Sequence, residues 1–253
     1  MRAPSGGRPS RIGAGKPPPG RRGIASTNPE QAALLAPRYS IAEAARLIPG
    51  LSRTTLRSWV RGRHYPVTDG TGFFEPIIEL PAPDEPMLSF TNLVEAHVLY
   101  GLRSNREISI SDLRTAIDYA ERRHGITHLL AHRDVRASAG ELFLDRYGEL
   151  VSLTKAGQLA MREVLDAYLR RLRHGKTGLA VSLSPILPWA PDREDYVIDP
   201  AIAYGRPVIA KHGVPVEVVA NRINGGESLD TLARDYDLEQ DEIKTALAYA
   251  RAA

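Results

Sequence analysis

Residues 39–62, YSIAEAARLIPGLSRTTLRSWVRG, decide how this chain is read. From Tyr39 to Ile48 the apolar residues Ile41, Ala44, Ala45, Leu47 and Ile48 recur at helical spacing, leaving Glu43 and Arg46 outside. Pro49-Gly50 breaks that helix: proline cannot continue the hydrogen-bond ladder, and glycine tolerates left-handed turn geometry. Ser52 then stands where an N-cap hydroxyl belongs, and the next helix is predicted over Thr54–Arg61 with Gly62 ending it. Leu56, Trp59 and Val60 face inward on this second helix. Arg53, Arg57 and Arg61 recur every fourth residue on the other side, which stacks them into one stripe. Turn, cap, core and stripe together predict a helix-turn-helix whose second helix enters a DNA groove. An ordinary solvated helical hairpin is the alternative, since charged outer faces are common.

The residues downstream extend that expectation. Between Arg63 and Leu80, the turn Asp69-Gly70-Thr71-Gly72 is flanked by Tyr65, Val67, Phe73, Phe74, Ile77 and Ile78, the pattern of a β-hairpin. Directly after a recognition helix such a hairpin is a wing. Arg53, Thr54 and Arg57 are therefore the candidates for bases or phosphates. Arg61, Arg63, His64 and Thr68 are candidates for the DNA backbone.

Composition bounds the remaining possibilities. The 253 residues are 43% hydrophobic and 25% charged, ordinary for a soluble globular protein with room for one large or two small domains. No apolar run approaches eighteen residues and no secretory leader is visible, so no membrane partner and a cytoplasmic location are expected. Zero cysteines exclude disulfides, zinc–thiolate sites and thiol nucleophiles. Charge is unevenly spread. Residues 1–38 carry seven Lys or Arg against Glu30 alone, residues 39–191 nineteen against seventeen acids, and residues 192–253 seven against twelve. A basic start, an arginine-striped helix and an acidic end suggest two kinds of partner.

The expected class is mainly α (α+β). It comprises a winged helix-turn-helix, a helical dimerisation region with small β-hairpins, and a small C-terminal three-helix domain with short strands. Residues 1–37, with seven prolines and six glycines, read as a disordered basic tail. Residues 38–175 form the DNA-binding and dimerisation domain. Helices are predicted over 90–103 and 109–124, strand-like alternation over 129–153 with a turn at Asp145-Arg146-Tyr147-Gly148, and a long helix over 154–174. That helix has a broad apolar face for another element or a second copy of the chain, so a homodimer is expected. Residues 176–195 read as a proline-bearing linker. Residues 196–253 form the C-terminal unit, with short strands around Val197-Ile198, Val208-Ile209 and Val214 and helices over 215–223, 228–236 and 238–252.

Two segments resemble known families. Ser40-Ile41-Ala42-Glu43-Ala44-Ala45, followed by Thr55-Leu56-Arg57 and Trp59, resembles the winged helix of MerR-like regulators, with an extra residue in the Pro49-Gly50 turn. The C-terminal pattern is similar to a small uncharacterised domain encoded beside PIN-type toxins. It runs through Ile198-Asp199-Pro200, Gly205-Arg206-Pro207-Val208-Ile209, Gly225-Gly226-Glu227-Ser228 and Leu232-Ala233-Arg234-Asp235-Tyr236. The two-part order resembles VapB-type antitoxins with a MerR-like N-terminal half. The resemblance implies an antitoxin that inhibits a PIN-domain ribonuclease and represses its own operon. A nuclease that binds RNA presents positive charge, so the acids Asp235, Asp237, Glu239, Asp241 and Glu242 are the candidate toxin contacts. Equally, acids near helix starts serve as caps on a solvated surface. The runner-up reading is a MerR-like regulator whose C-terminal domain binds a small effector or another protein.

Catalysis is disfavoured, for no nucleophile motif or acid–base pair appears. His124, His128 and His132 are four residues apart, but Gly125 interrupts the helix that would align them and no Cys or paired carboxylate completes a metal shell. No cofactor or metal is expected.

Overall fold

Residue 40 opens the helix-turn-helix with a reciprocal cap. Ser40 accepts the Glu43 N–H at 3.2 Å, while the Glu43 carboxylate accepts the Ser40 N–H at 2.8 Å. The computed structural model describes residues 28–67, 70–103, 109–151 and 155–252. The basic tail therefore lies largely outside the described residues, as does the hairpin tip at Thr68 and Asp69.

A short helix, α1 (Pro29–Leu35), precedes strand β1 (Tyr39–Ser40) and helix α2 (Ile41–Leu47). After the turn comes α3 (Arg53–Arg61), capped by Ser52, whose side chain accepts the Thr55 N–H at 3.1 Å. Gly50 turns the chain at φ 91°, and a side chain there would strike the Tyr100 ring. Gly62 leaves α3 at φ 69°, where a Cβ would meet the Phe74 carbonyl and the Phe73 ring. Both positions therefore require glycine. Strands β2 (Arg63–Val67) and β3 (Gly70–Phe74) pair antiparallel from Arg63↔Phe74 to Val67↔Gly70. This is the hairpin the sequence predicts.

Strand β4 (Met87–Leu88) returns to pair with β1 and leads into α4 (Phe90–Leu102). Eleven of the thirteen residues of α4 are buried, so it is the axis around which the larger core packs. Helix α5 (Ile110–His124) ends on Gly125 in the left-handed region, and two 3₁₀ turns follow at Leu129–Ala131 and Arg133–Arg136.

Two expectations fail here. The stretch from 138 to 151 is helix α6 (Ser138–Val151), not strands around a turn at residues 145–148. Its Phe143, Leu144 and Tyr147 are all at most 3% exposed and line one helical face against α5. The long helix is also shorter than predicted. Helix α7 spans Lys155–Leu169, and Leu172–His174 is strand β5, paired with β6 (Ala180–Leu183). Strand β6 thus falls within the stretch that reads as linker, and Leu183 exchanges backbone hydrogen bonds with Ile198 at 2.8 and 3.0 Å.

The C-terminal unit has the expected strands and helices except at Val214, which forms no strand; there Pro215 makes only an isolated bridge to Val208. Strands β7 (Tyr196–Val197) and β8 (Val208–Ile209) pair antiparallel, and α8 (Val216–Asn224), α9 (Leu229–Tyr236) and α10 (Gln240–Ala252) pack behind them. One apolar core runs from Leu34 to Ile198. A second, smaller one gathers Leu187, Tyr196, Ile209, Val219, Leu232, Ile243 and Tyr249. Among the described residues the class is mainly α, with four two-stranded antiparallel sheets.

Candidate nucleic-acid and partner interfaces

Helix α3 divides cleanly into two faces. Leu56, Trp59 and Val60 are at most 4% exposed, whereas Arg53, Thr54, Arg57 and Arg61 are all exposed. The chain after the hairpin fixes the end of this helix: Ile77 and Ile78 both donate backbone N–H to the Trp59 carbonyl, at 2.8 and 3.1 Å. Arg61 belongs to the same strap, because its guanidinium donates to the Pro83 carbonyl at 3.0 Å. The stripe is therefore not uniform. Arg61 is spent on the protein's own backbone, while Arg53 and Arg57 make no hydrogen bond or ion pair to other described residues.

At the hairpin, the Arg63 guanidinium lies 5.1 Å from the Phe74 ring centroid and the exposed His64 ring 4.8 Å from that of Phe73. These aromatic contacts hold both cationic or polar heads beside α3. Sequence reasoning missed Arg46. It projects from the last turn of α2 and, with Gly50, Ser52 and Arg53, lines a shallow depression of about 440 Å³ at the start of α3. Two guanidinium groups at a helix N-terminus suit a phosphate. The signal was present in the sequence, as an exposed Arg three residues before the breaker at Pro49.

The acidic residues near the C-terminus are more committed to the fold than their spacing suggests. Asp235 pairs with Arg222 at 2.6 Å, and Arg222 also grips Glu227 and lies 5.1 Å from the Tyr236 ring centroid. That guanidinium holds the Glu227 carboxyl below the usual carboxylate range. Asp241 pairs with Arg193 at 2.6 Å. Glu242 accepts the Glu239 N–H at 2.8 Å and its carboxylate lies 3.7 Å from the His212 ring. Asp237 closes α9 in the left-handed region at φ 54°. Only the side chains of Asp237 and Glu239 are exposed with no polar contact to described residues.

The three spaced histidines do not share a site. The His128 ring bonds the Glu95 carboxylate at 2.9 Å, and this carboxylate raises its pKa against the opposing effect of burial. The His132 ring accepts the Asp134 N–H at 3.2 Å, and His124 is exposed at the end of α5.

What no sequence pattern announces is how the two units meet. The buried Tyr249 hydroxyl donates to the Leu47 carbonyl at 3.1 Å, so α10 holds the last residue of α2. The Tyr39 hydroxyl donates to the Gly205 carbonyl and Arg38 to that of Tyr204, both at 3.0 Å, so the loop after β7 holds the entry to α2. Burial pushes both tyrosine hydroxyls up, so they remain protonated donors. Arg171 donates to the Arg193 carbonyl at 2.7 Å, and Arg173 pairs with Asp199 at 2.9 Å. The first helix of the helix-turn-helix is thus clamped at both ends by the C-terminal unit.

Comparison with known proteins finds one family model over the C-terminal unit and longer likenesses over most of the chain. Residues 197–250 match a family described as a protein of unknown function, DUF433. The chain is 29% identical to a Mycobacterium tuberculosis protein provisionally named antitoxin VapB45, across 83% of this chain and 92% of the relative. It is 27% identical to a second Mycobacterium tuberculosis protein, the uncharacterised Rv2308, across 84% of this chain and 90% of that one. Among solved structures it resembles the crystal structure of Rv2018 from Mycobacterium tuberculosis, with a TM-score of 0.62 and 24% identity. That likeness covers 84% of this chain and 98% of the other, and concerns the fold. No helix among the described residues is long and apolar enough to cross a membrane.

Proposed function

We propose that this chain is a cytoplasmic, homodimeric antitoxin of the toxin–antitoxin type. It neutralises a PIN-domain ribonuclease through its C-terminal unit and represses its own operon through its MerR-like winged helix-turn-helix. The observation that carries this reading is the likeness to the relative provisionally named antitoxin VapB45, which extends through both units rather than one. The geometry of α3 supports the DNA half. Arg53, Thr54 and Arg57 project from a helix anchored by its own buried seam, with Arg63, His64 and the Arg46 depression placed for phosphates. Inhibition by the acidic end remains part of the reading, with Asp237 and Glu239 as its freest carboxylates.

Two experiments test the halves separately. Arg57→Ala is expected to weaken binding to the chain's own promoter about tenfold at fixed salt, the loss of one bidentate arginine contact. Unchanged affinity overturns the DNA assignment. Co-expression with a neighbouring PIN-type open reading frame is expected to rescue growth, and failure of rescue overturns the antitoxin assignment.

A second reading, a regulator that senses a small molecule, draws on a half-open cleft of about 710 Å³ lined by Ile77, Leu80, Asn92, Glu95 and His128. One wall of that cleft is the strap that fixes the end of α3. Titration of the purified chain with candidate effectors in a promoter-binding assay separates the two readings.

A further inference from the structure

The strap that fixes the end of α3 is itself held from its other side by an unbroken chain of polar contacts. Ile77 and Ile78 donate to the Trp59 carbonyl, and Arg61 to that of Pro83, so residues 77–83 carry the last turn of α3. Behind them stands Asn92 of α4, 1% exposed. Its side-chain amide donates to the Glu79 carbonyl and to the Glu95 carboxylate, both at 3.0 Å. Its oxygen accepts the Ser89 N–H at 3.1 Å, which locks the orientation. The second oxygen of Glu95 meets the His128 ring at 2.9 Å. His128 is thus connected to the recognition helix without a gap.

The surroundings of His128 make this connection sensitive to charge. The elements around its ring each bring a carboxylate: Glu95 from α4, Glu121 from α5 and Glu79 from the strap. Asp118 and Arg122 of α5 line the same cleft with opposite charges. Glu121 accepts the Leu129 N–H at 2.9 Å and is committed to the fold, whereas Glu79 is exposed at the edge. His128 holds the left-handed region at φ 58°, a backbone that few side chains adopt and that aims the ring at Glu95. Burial disfavours the imidazolium there. Glu95, Glu121 and Glu79 outweigh burial and hold the His128 pKa above the ordinary histidine value.

We propose, resting on the DNA-binding reading above, that His128 is a proton-operated latch on the recognition helix. With its proton, it draws Glu79 and the strap against α4 and α5; without it, the strap slackens, the end of α3 loosens and promoter binding weakens. Neutral His128 keeps a ring N–H for Glu95, but the carboxylates then face one another with no cation between them. Glu79 lies at the exposed edge, so the strap is the element that yields. A raised folded pKa lends stability that is whole below the unfolded value and is lost as pH rises through the folded one. The latch is therefore shut at about pH 6 and open at about pH 8.5. His97 and His174, held down at about 3 and about 4, stay neutral throughout that window in the folded chain.

The test compares the full chain at about pH 6 and about pH 8.5 by two readouts. Hydrogen exchange of the Ile77 and Ile78 amides, corrected for the intrinsic effect of pH, reads the strap without DNA. It is expected to quicken about tenfold at the higher pH, while affinity for the chain's own promoter at fixed salt falls about fivefold. His128→Asn suits the left-handed turn and takes up no proton, so its strap is expected to exchange fast at both pH values. Glu79→Gln, an exposed change that leaves the backbone carbonyl for Asn92, is expected to keep the strap protected at both. Equal pH responses in the original chain and His128→Asn assign the effect to another group, the exposed His64 of the hairpin first, and overturn the proposal. A strap whose exchange ignores pH, or one that responds while promoter affinity does not, overturns it as well and leaves the DNA-binding reading standing. A chain that binds its promoter at neither pH removes the DNA-binding reading, and the latch then stands or falls on the exchange data.

Discussion

Helices α3 and α9 begin alike and end in different service. Each follows a glycine turn and opens on a serine whose side chain accepts the N–H of a threonine three residues on, at 3.1 Å in both. In each the serine and threonine hydroxyls lie 2.8 Å apart, and the next residue, Leu56 or Leu232, is completely buried. The outward register then diverges. Arg53, Arg57 and Arg61 of the first correspond to Leu229, Ala233 and Asp237 of the second, and Leu229 and Ala233 pack against the smaller core. The same local physics builds both helices. Which face remains exposed, and with which charge, is what differs: α3 presents free guanidinium groups to solvent, and α9 turns the same register into its core.

If the likeness goes as deep as the cap and seam, truncating either leucine should cost the same. Leu56→Ala and Leu232→Ala are each expected to destabilise the unit that holds them by about 3 kcal/mol, from lost transfer energy plus the cavity. Denaturant unfolding measures this, and a difference between the two above about 2 kcal/mol breaks the analogy.

Acid should distinguish the two cores. His97 on α4 is 1% exposed, 4.8 Å from the Tyr168 ring, and neither ring nitrogen has a partner among the described residues. Burial, with Arg171 nearby, pushes its pKa down to about 3. Its folded value lies below the unfolded one, so the unfolded chain takes up the proton first. Stability is whole above pH 6.5 and falls by about 1.4 kcal/mol per unit as pH drops toward 3. His174, held down at about 4 chiefly by burial, acts in the same direction, and His128, raised by Glu95, in the opposite one. The comparison of the original chain with His97→Leu isolates the single group. The variant is expected to lose about 2 kcal/mol less between pH 7 and pH 5. Parallel pH curves for the two proteins break this account of the larger core.

The caps give the smallest effect and the closest comparison. Ser52→Ala and Ser228→Ala are each expected to cost about 1 kcal/mol, read as matching shifts in thermal unfolding. A cap that matters in one helix and not in the other shows that tertiary contacts have taken over its work.

Helices α2 and α3 and the turn between them were legible in the sequence because their signals are local: a breaker, a cap, a period and a charged stripe fall within 24 residues. The same holds for α8 and α9, with Pro215, Gly225-Gly226 and Ser228 marking their ends. Helix α6 was misread because Leu142, Leu144, Arg146 and Gly148 imitate alternation and a turn, whereas packing of Phe143 and Tyr147 on α5 decides the matter. Strand β6 was missed because its partner β5 lies beyond a turn, and the prolines that follow it at 185, 188 and 191 disguise it. Of the sites, the arginine stripe was readable as a pattern, but not the diversion of Arg61 to Pro83. The pairing of Asp235 and Asp241 was equally invisible, since Arg222 and Arg193 lie 13 and 48 residues away.

The bond from Tyr249 to Leu47 gives the molecule's ends a common lifetime. Erosion of the last helix, from whichever side it starts, strips the cover from α2 and leaves its terminal carbonyl bare. Loss of grip at one end of the chain therefore travels to the other without a messenger.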